Sequence, residues 1–447
     1  MIKKLLGDYG ILLVLLGLCV LFSALTMKEQ SCESVTAADE LIKQINNQSN
    51  QSDLIMVVGA RNKSSGPFAE LLGGKLQRAG YDNSRVVVGT PRDMRLALDD
   101  INKAGKKLSV IITSGDVLKW RLIDSIPEQY PRFSDCKVLV PQSRRWPDFL
   151  KRSNLLAIVD RIVVIAVIAI GMTMVIITAG IDLSVGSLIA LSAVISTLIM
   201  RKMGGLDAPG WVVPVGFLGG ILCCGVVGGL GGFIVARFKV APFIVTLGFM
   251  MMARGGAFQI TGGFSIYQVP KALSWLGQGR SLGIPNTVIL LAVLYIAAHI
   301  FMSHTRMGRY IYAVGGNKEA ARLSGVPVNF VLVFVYIVSS LAAGLGGCIQ
   351  ASQLNTGTPN MGMMYELYVI AAVVVGGTSL AGGVGKILGT LIGAFIISVV
   401  QNGMNLLGIE SYTQQVVLGA VILGAVLMDK VRSGGGLLVI WKRIIKM

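Results

Sequence analysis

Between residues 286 and 350 the chain reads apolar, polar, apolar, and that order leaves few folds open. Residues 286–303 and 330–350 each have about the length of a helix that spans a bilayer core. The segment between them, HTRMGRYIYAVGGNKEAARLSGVPVN (304–329), carries Arg306, Arg309, Lys318 and Arg322 against a single acid, Glu319. Such a segment must lie in water, and its excess of Lys and Arg places it on the cytoplasmic side. Within it, Gly315-Gly316-Asn317 is a turn-and-cap signal. Asn317 heads a short helix over 318–323, and Gly325 closes it. A capped basic helix beneath a membrane bundle is a handle for another protein.

The rest of the chain fits that frame. It is 53% hydrophobic and 14% charged, where soluble domains are about 25% charged, and its mean hydropathy is +0.70. The expected fold is an all-α polytopic membrane protein with about ten transmembrane helices, some broken or re-entrant, and a small extracytoplasmic α/β insert. The spans are placed at 9–26, 155–179, 187–200, 211–236, 242–261, 286–303, 330–350, 367–375, 387–407 and 412–428. The first follows Met-Ile-Lys-Lys and lacks a small-x-small cleavage site, so it reads as a retained anchor. The domain plan is a first helix (1–27), the insert (28–150), a nine-helix membrane domain (151–430) and a basic tail (431–447).

The net charge of +17 would suggest nucleic acid in a soluble chain. Here residues 28–161 hold 21 of the 40 Lys and Arg beside 16 acids, so that segment is nearly balanced. With both termini inside, predicted inner segments hold 14 Lys and Arg, and short outer loops hold four, Arg201, Lys202, Lys271 and Arg280. Membrane orientation accounts for the charge, and no nucleic-acid partner is expected.

In the insert, apolar runs at 54–60, 85–89, 108–113 and 137–140 alternate with helical patterns over 61–80, 91–105 and 116–126. That alternation predicts a small parallel α/β domain. No GxGxxG follows its first strand, so no nucleotide site is expected there.

Candidate functional residues are few. The glycine-rich 376–386 fails as a phosphate loop, because position 380 is Leu and Ile387 replaces the required Ser or Thr. No metal-ligand spacing is present. Cys19, Cys223, Cys224 and Cys348 lie in apolar helices as small hydrophobes. Cys32 and Cys136 flank the insert and are placed to pair if it faces an oxidising compartment; paired and free states both stay open. Gly180-Ile-Asp-Leu-Ser-Val-Gly-Ser187 breaks an apolar run at membrane depth, which is tolerated only where the break is buried or lines a cavity. Asp182, with Ser184, and Glu366 read either as a polar lining of a transport route or as helix caps, with capping preferred. Arg254 lies inside a span, where it snorkels or pairs with an acid, and Asn355 joins the route candidates from a polar loop. Gly225, Gly228, Gly229 and Gly232 form two overlapping GxxxG spacings for close helix packing. His299 and His304 read as interfacial. No catalytic constellation appears.

From about residue 155 to residue 429 the chain resembles the permease subunits of ATP-binding cassette (ABC) importers for ribose and related simple sugars. The resemblance rests on GMTMVIITAGIDLSVGS (171–187), TRMGRYIYAVGGN (305–317), ARLSG (321–325), AAVVVGGTSLAGG (371–383), GTLIG (389–393) and QNGMNLLG (401–408). It implies a permease dimer, as two copies or a paired homologue, in the bacterial inner membrane. Two ATPase subunits would carry ATP and Mg, a periplasmic sugar-binding protein would feed the dimer, and this chain would have no cofactor of its own. It also implies that Gly315, Gly316, Asn317, Ala320, Ala321, Arg322, Leu323 and Gly325 form the element that seats in the ATPase. Changing Gly316 is then expected to abolish uptake with folding intact. The insert departs from the family, whose members pass from helix 1 to helix 2 by a short loop. It faintly resembles one lobe of a periplasmic sugar-binding protein, and a docking platform or an inert accretion are its readings. Two alternatives remain for the whole chain: a membrane-anchored sensor using the insert as receptor, and an ATP-independent carrier.

Overall fold

The computed structural model describes residues 2–31, 33–46 and 53–433. The Cys32–Cys136 pairing and the tail from residue 434 lie outside the described residues. Met27–Asp148 form one compact unit, and the helices before and after it form a second.

Helix α1 (Ile2–Leu25) opens the chain. The insert then runs β1 (Met27–Ser31), α2 (Val35–Asn46), β2 (Leu54–Ala60), α3 (Ser65–Arg78), β3 (Ser84–Gly89), α4 (Pro91–Lys103), β4 (Leu108–Ile112), α5 (Arg121–Gln129), β5 (Lys137–Leu139) and β6 (Ser143–Pro147). Four strands form a parallel sheet in the order β3-β2-β4-β5. Strand β2, LIMVVGA, is apolar on both faces because helices cover both. Its alternate residues separate cleanly: Ile55 and Val57 pack with Leu41, Ile45, Leu72 and Leu76, while Met56 and Val58 pack with Met94, Leu98 and Ile123. Thr90 and Asp93 form a capping box at the start of α4, with the Thr90 amide donating to Asp93 Oδ2 at 2.7 Å. Those bonds hold the Asp93 carboxyl below the usual carboxylate range.

The helix expected from residue 116 starts only at Arg121, because Val117, Leu118 and Trp120 close successive turns on Ser114 and Val117 carbonyls. An unexpected antiparallel ribbon pairs β1 with β6, from Met27 opposite Pro147 to Ser31 opposite Ser143.

The second unit continues with α6 (Arg152–Ile177), α7 (Val185–Lys202), α8 (Val212–Phe238), α9 (Pro242–Thr261), the short α10 (Ser274–Gly277) and a hairpin of β7 (Arg280–Ser281) and β8 (Ile284–Pro285). Then follow α11 (Asn286–His304), α12 (Arg306–Gly316), α13 (Lys318–Leu323), α14 (Val328–Leu354), α15 (Tyr365–Val375), α16 (Ile387–Leu406) and α17 (Ser411–Ser433). Seven of these, α6, α7, α8, α9, α11, α14 and α16, are long and apolar enough to cross a membrane. The other three expected spans are shorter apolar helices, Gly10–Leu25, Tyr365–Val375 and Ser411–Leu427. Helix α15, at 1.5 Å per residue, covers only about half of a 30 Å hydrocarbon core. The protein is a multi-pass membrane protein built mostly of helices.

Helix α6 is the centre of this unit: every residue from Ile162 to Ile177 is buried, as an all-round apolar helix requires. Helix α8 packs on α14 through glycines. A methyl at Gly228 would meet the Ser340 side chain and, at 2.6 Å, the Tyr336 carbonyl; one at Gly232 would stand 2.9 Å from Val333 Cα. Of the two predicted GxxxG spacings, 228–232 therefore forms the tight face, while Gly229 sits at an ordinary 3.5 Å from Ile337.

Candidate functional site

The polar segment between α11 and α14 is more ordered than a loop. Thr305 Oγ1 accepts from the Gly308 amide at 3.1 Å and starts α12, a helix that sequence reading missed. Asn317 Oδ1 accepts from the amides of Glu319 and Ala320, both at 3.0 Å, and starts α13 at Lys318. Gly325 follows with φ +80°, a left-handed conformation that favours glycine. Ala321 turns inward and is buried, whereas Lys318, Glu319, Ala320, Arg322 and Leu323 are exposed. Leu323, at 86% exposure, is a large apolar side chain offered to water beside an Arg322–Glu319 ion pair of 3.8 Å.

The back of this element is locked. A Cβ at Gly315 would collide with the Ile177 carbonyl at the end of α6 and stand 2.6 Å from the Gly383 amide nitrogen. That amide itself donates to Ile177 O at 2.8 Å. The Tyr312 hydroxyl donates to Gly385 O at 2.9 Å. Three segments therefore meet backbone to backbone: the end of α12, the end of α6 and the glycine-rich turn between α15 and α16. Gly316 is different, since among the described residues a methyl there would meet nothing within 4 Å. The close approach is at Gly315, one residue before the position whose change is expected to abolish uptake.

Beyond Ile177 the chain leaves helical geometry until Val185 and stays largely buried. Asp182 holds the break. Its Oδ1 accepts from the Ser184 amide at 3.0 Å and the Ser184 hydroxyl at 2.6 Å, and its Oδ2 accepts from Ser339 Oγ of α14 at 2.8 Å. Thr246 of α9 accepts from the Leu183 amide at 3.1 Å. Two helices distant in sequence thus pin one turn. Ser339 and Thr246 were not singled out from sequence, where their only signal is a hydroxyl within an apolar helix.

Arg254, on α9, directs its guanidinium at backbone carbonyls. It donates to Pro359 O and Met361 O, both at 2.7 Å, and to Gly186 O at 3.3 Å. The Glu366 carboxylate fills the space where a side chain at Gly186 would stand. Asp182, Ser184, Arg254 and Glu366 therefore gather around the first turn of α7. Negative groups there suit the positive end of a helix dipole. Asn355 stands apart at the end of α14, with φ +49°, as a left-handed cap.

The site therefore joins a buried, hydrogen-bonded break between long apolar helices to an exposed helix outside them. The chain belongs to the family of branched-chain amino acid transport system / permease components, whose model matches residues 154–426. Such a subunit transports and is not an enzyme.

Among curated proteins, it is 44% identical over 288 residues to the ribose import permease protein of Escherichia coli strain K12, covering 63% of this chain and 87% of that one. It is 40% identical over 289 residues to the ribose import permease protein of Bacillus subtilis, covering 64% and 88%. It is 35% identical over 303 residues to the galactose/methyl galactoside import permease protein of Escherichia coli, covering 64% and 89%. No solved structure matches the chain.

Proposed function

We propose that the protein is the permease subunit of an ABC importer that moves ribose or a related simple sugar into the cytoplasm across the bacterial inner membrane. The relatives' transport of ribose and galactosides supports the sugar class. A separate ATPase subunit, holding ATP and Mg, drives it, a periplasmic sugar-binding protein feeds it, and a second permease copy or paired homologue completes the pathway. Its termini and the 304–329 segment face the cytoplasm and the insert faces outward.

The observation that carries the coupling role is the joint at Gly315. Leu323 and its neighbours Lys318, Ala320 and Arg322 are exposed and open to a partner, while Gly315 rests on the end of α6 and on the 382–383 turn. Closure of the ATPases displaces α13. The backbone contact transmits that displacement to α6, and so to the break that Asp182 and Ser184 hold. Arg254, Glu366 and Asn355 act on the same route by fixing the segment between α14 and α15.

The test is co-purification of the chain from its native membranes in mild detergent. An ATPase subunit should accompany the wild-type chain and fall at least tenfold with Leu323→Glu, while the amount of chain in the membrane is unchanged. Recovery of the intact chain without any ATPase, across several detergents, would sink the reading and favour the sensor or the ATP-independent carrier.

A further inference from the structure

A second polar cluster lies away from the Gly315 joint and from the break. Asp160 and Arg161 stand side by side on α6, about 12 Å along from its start at 1.5 Å per residue, just before the stretch buried from Ile162. Lipid is a poor surrounding for neighbouring charges, which in a span face a partner or a water-filled cavity. Here they border an open, shallow recess of about 400 Å3, together with Gln353, Tyr365 and Gly277.

The walls are braced. Gln353 Nε2 donates to the Asp160 carbonyl at 3.1 Å, and the Thr287 hydroxyl donates to Asp160 Oδ1 at 3.4 Å. Gln350, three residues before Gln353 and so on the same face of α14, donates from Nε2 to the Tyr365 hydroxyl at 3.3 Å. The other end of that amide, Oε1, is buried without a hydrogen-bond partner among the described residues.

We propose that this recess is a sugar-binding step of the transport route, and the proposal rests on the importer reading. Adjacent opposite charges favour neither an anion nor a cation. They favour a neutral ring rich in hydroxyls, each of which both donates and accepts. The Asp160 carboxylate accepts from neighbouring hydroxyls, and the Arg161 guanidinium donates in a fork. The Gln353 amide serves either need, and the Tyr365 ring offers an apolar surface to the C–H face of the sugar.

The experiment compares cells carrying the wild-type chain, Asp160→Asn or Gln353→Ala on the chromosome, all with the same partner proteins. Each takes up tritiated D-ribose and tritiated 2-deoxy-D-ribose, and chain and ATPase are quantified in the membranes. Because the other components are shared, a change in the ratio of the two rates belongs to this chain. The expected result is a ratio shifted at least threefold by either variant, with chain and ATPase levels unchanged. Equal loss of both sugars, as a merely structural defect would give, or no change, overturns the site and leaves the importer reading standing. Wild-type cells that take up neither sugar beyond cells lacking the chain overturn ribose as the cargo and this recess as its binding step, while ATPase co-purification decides the importer reading separately.

Discussion

Replacing Gly315 by Ala tests the joint between the cytoplasmic helix and the membrane core. The added methyl cannot be accommodated by rotating a side chain, since its nearest neighbours are the Ile177 carbonyl and the Gly383 backbone. Overpacking of this kind costs about 1–3 kcal/mol. Moving either neighbour also weakens the 2.8 Å bond from the Gly383 amide to Ile177 O, a further ~0.5–1.5 kcal/mol. The combined cost of about 1.5–4.5 kcal/mol falls on one contact, so α12 separates from α6 before the helices themselves unfold. Gly316→Ala is the internal control. It adds the same methyl where, among the described residues, nothing stands within 4 Å, and it relieves a glycine entropy cost of at most ~1 kcal/mol. The assay is sugar uptake in cells, read beside ATPase co-purification and thermal aggregation in detergent. Gly315→Ala should lose most uptake while keeping the ATPase, because the outer face of α13 is untouched. Gly316→Ala should transport as the wild type does. Indistinguishable behaviour of the two variants in uptake and in aggregation temperature would refute the reasoning.

Other outcomes follow from single contacts. Ser339→Ala removes one of three hydrogen bonds to Asp182 and should cost about 1–3 kcal/mol, seen as earlier thermal aggregation; no shift would mean the break is held otherwise. Arg254→Met removes the two 2.7 Å bonds to Pro359 O and Met361 O, and limited proteolysis should then cut within residues 355–364, where the wild type resists. In the insert, the Thr90 amide and hydroxyl hold the Asp93 carboxyl below its usual range. A lowered pKa stabilises above the unfolded value, near 3.9, and that stabilisation disappears as pH falls through the folded value. Hydrogen exchange at the Thr90 amide should therefore accelerate, relative to neighbouring amides, only at pH below about 4. In Asp93→Asn that acid-dependent step should vanish.

What was legible in the sequence was local. The strand at Leu54–Ala60, the Asn317 cap, the six-residue α13 and the glycine after it depend on neighbours within a few residues, and each has a sequence signature. What was not legible depended on partners far along the chain. Gly315 looked no different from Gly316, because its neighbours Ile177 and Gly383 are remote in sequence. Asp182 advertised a break, but nothing in its surroundings pointed to Ser339, 157 residues away. Arg254 reads from sequence as snorkelling or pairing with an acid, and the structure adds carbonyls of the segment between α14 and α15. Asp160 and Arg161 were overlooked because, at the foot of a long apolar run, they merged with the charges of the insert. Helix α12 was missed because its basic residues read as a loop.

The place where the insert leaves and rejoins the helices has its own consequence. Within the membrane unit, the Thr26 hydroxyl accepts from the Phe149 amide at 3.2 Å, and the Phe22 and Phe149 rings stack with centroids 6.2 Å apart. Within the insert, β1 and β6 zip Met27 to Pro147. Each unit thus closes its own seam, and neither depends on the other to bring its two ends together. Residues 27–148 therefore have the geometry of a cassette: with Thr26 and Phe149 held by their own bond, excising the stretch between them would leave the end of α1 and the approach to α6 within reach of a short link.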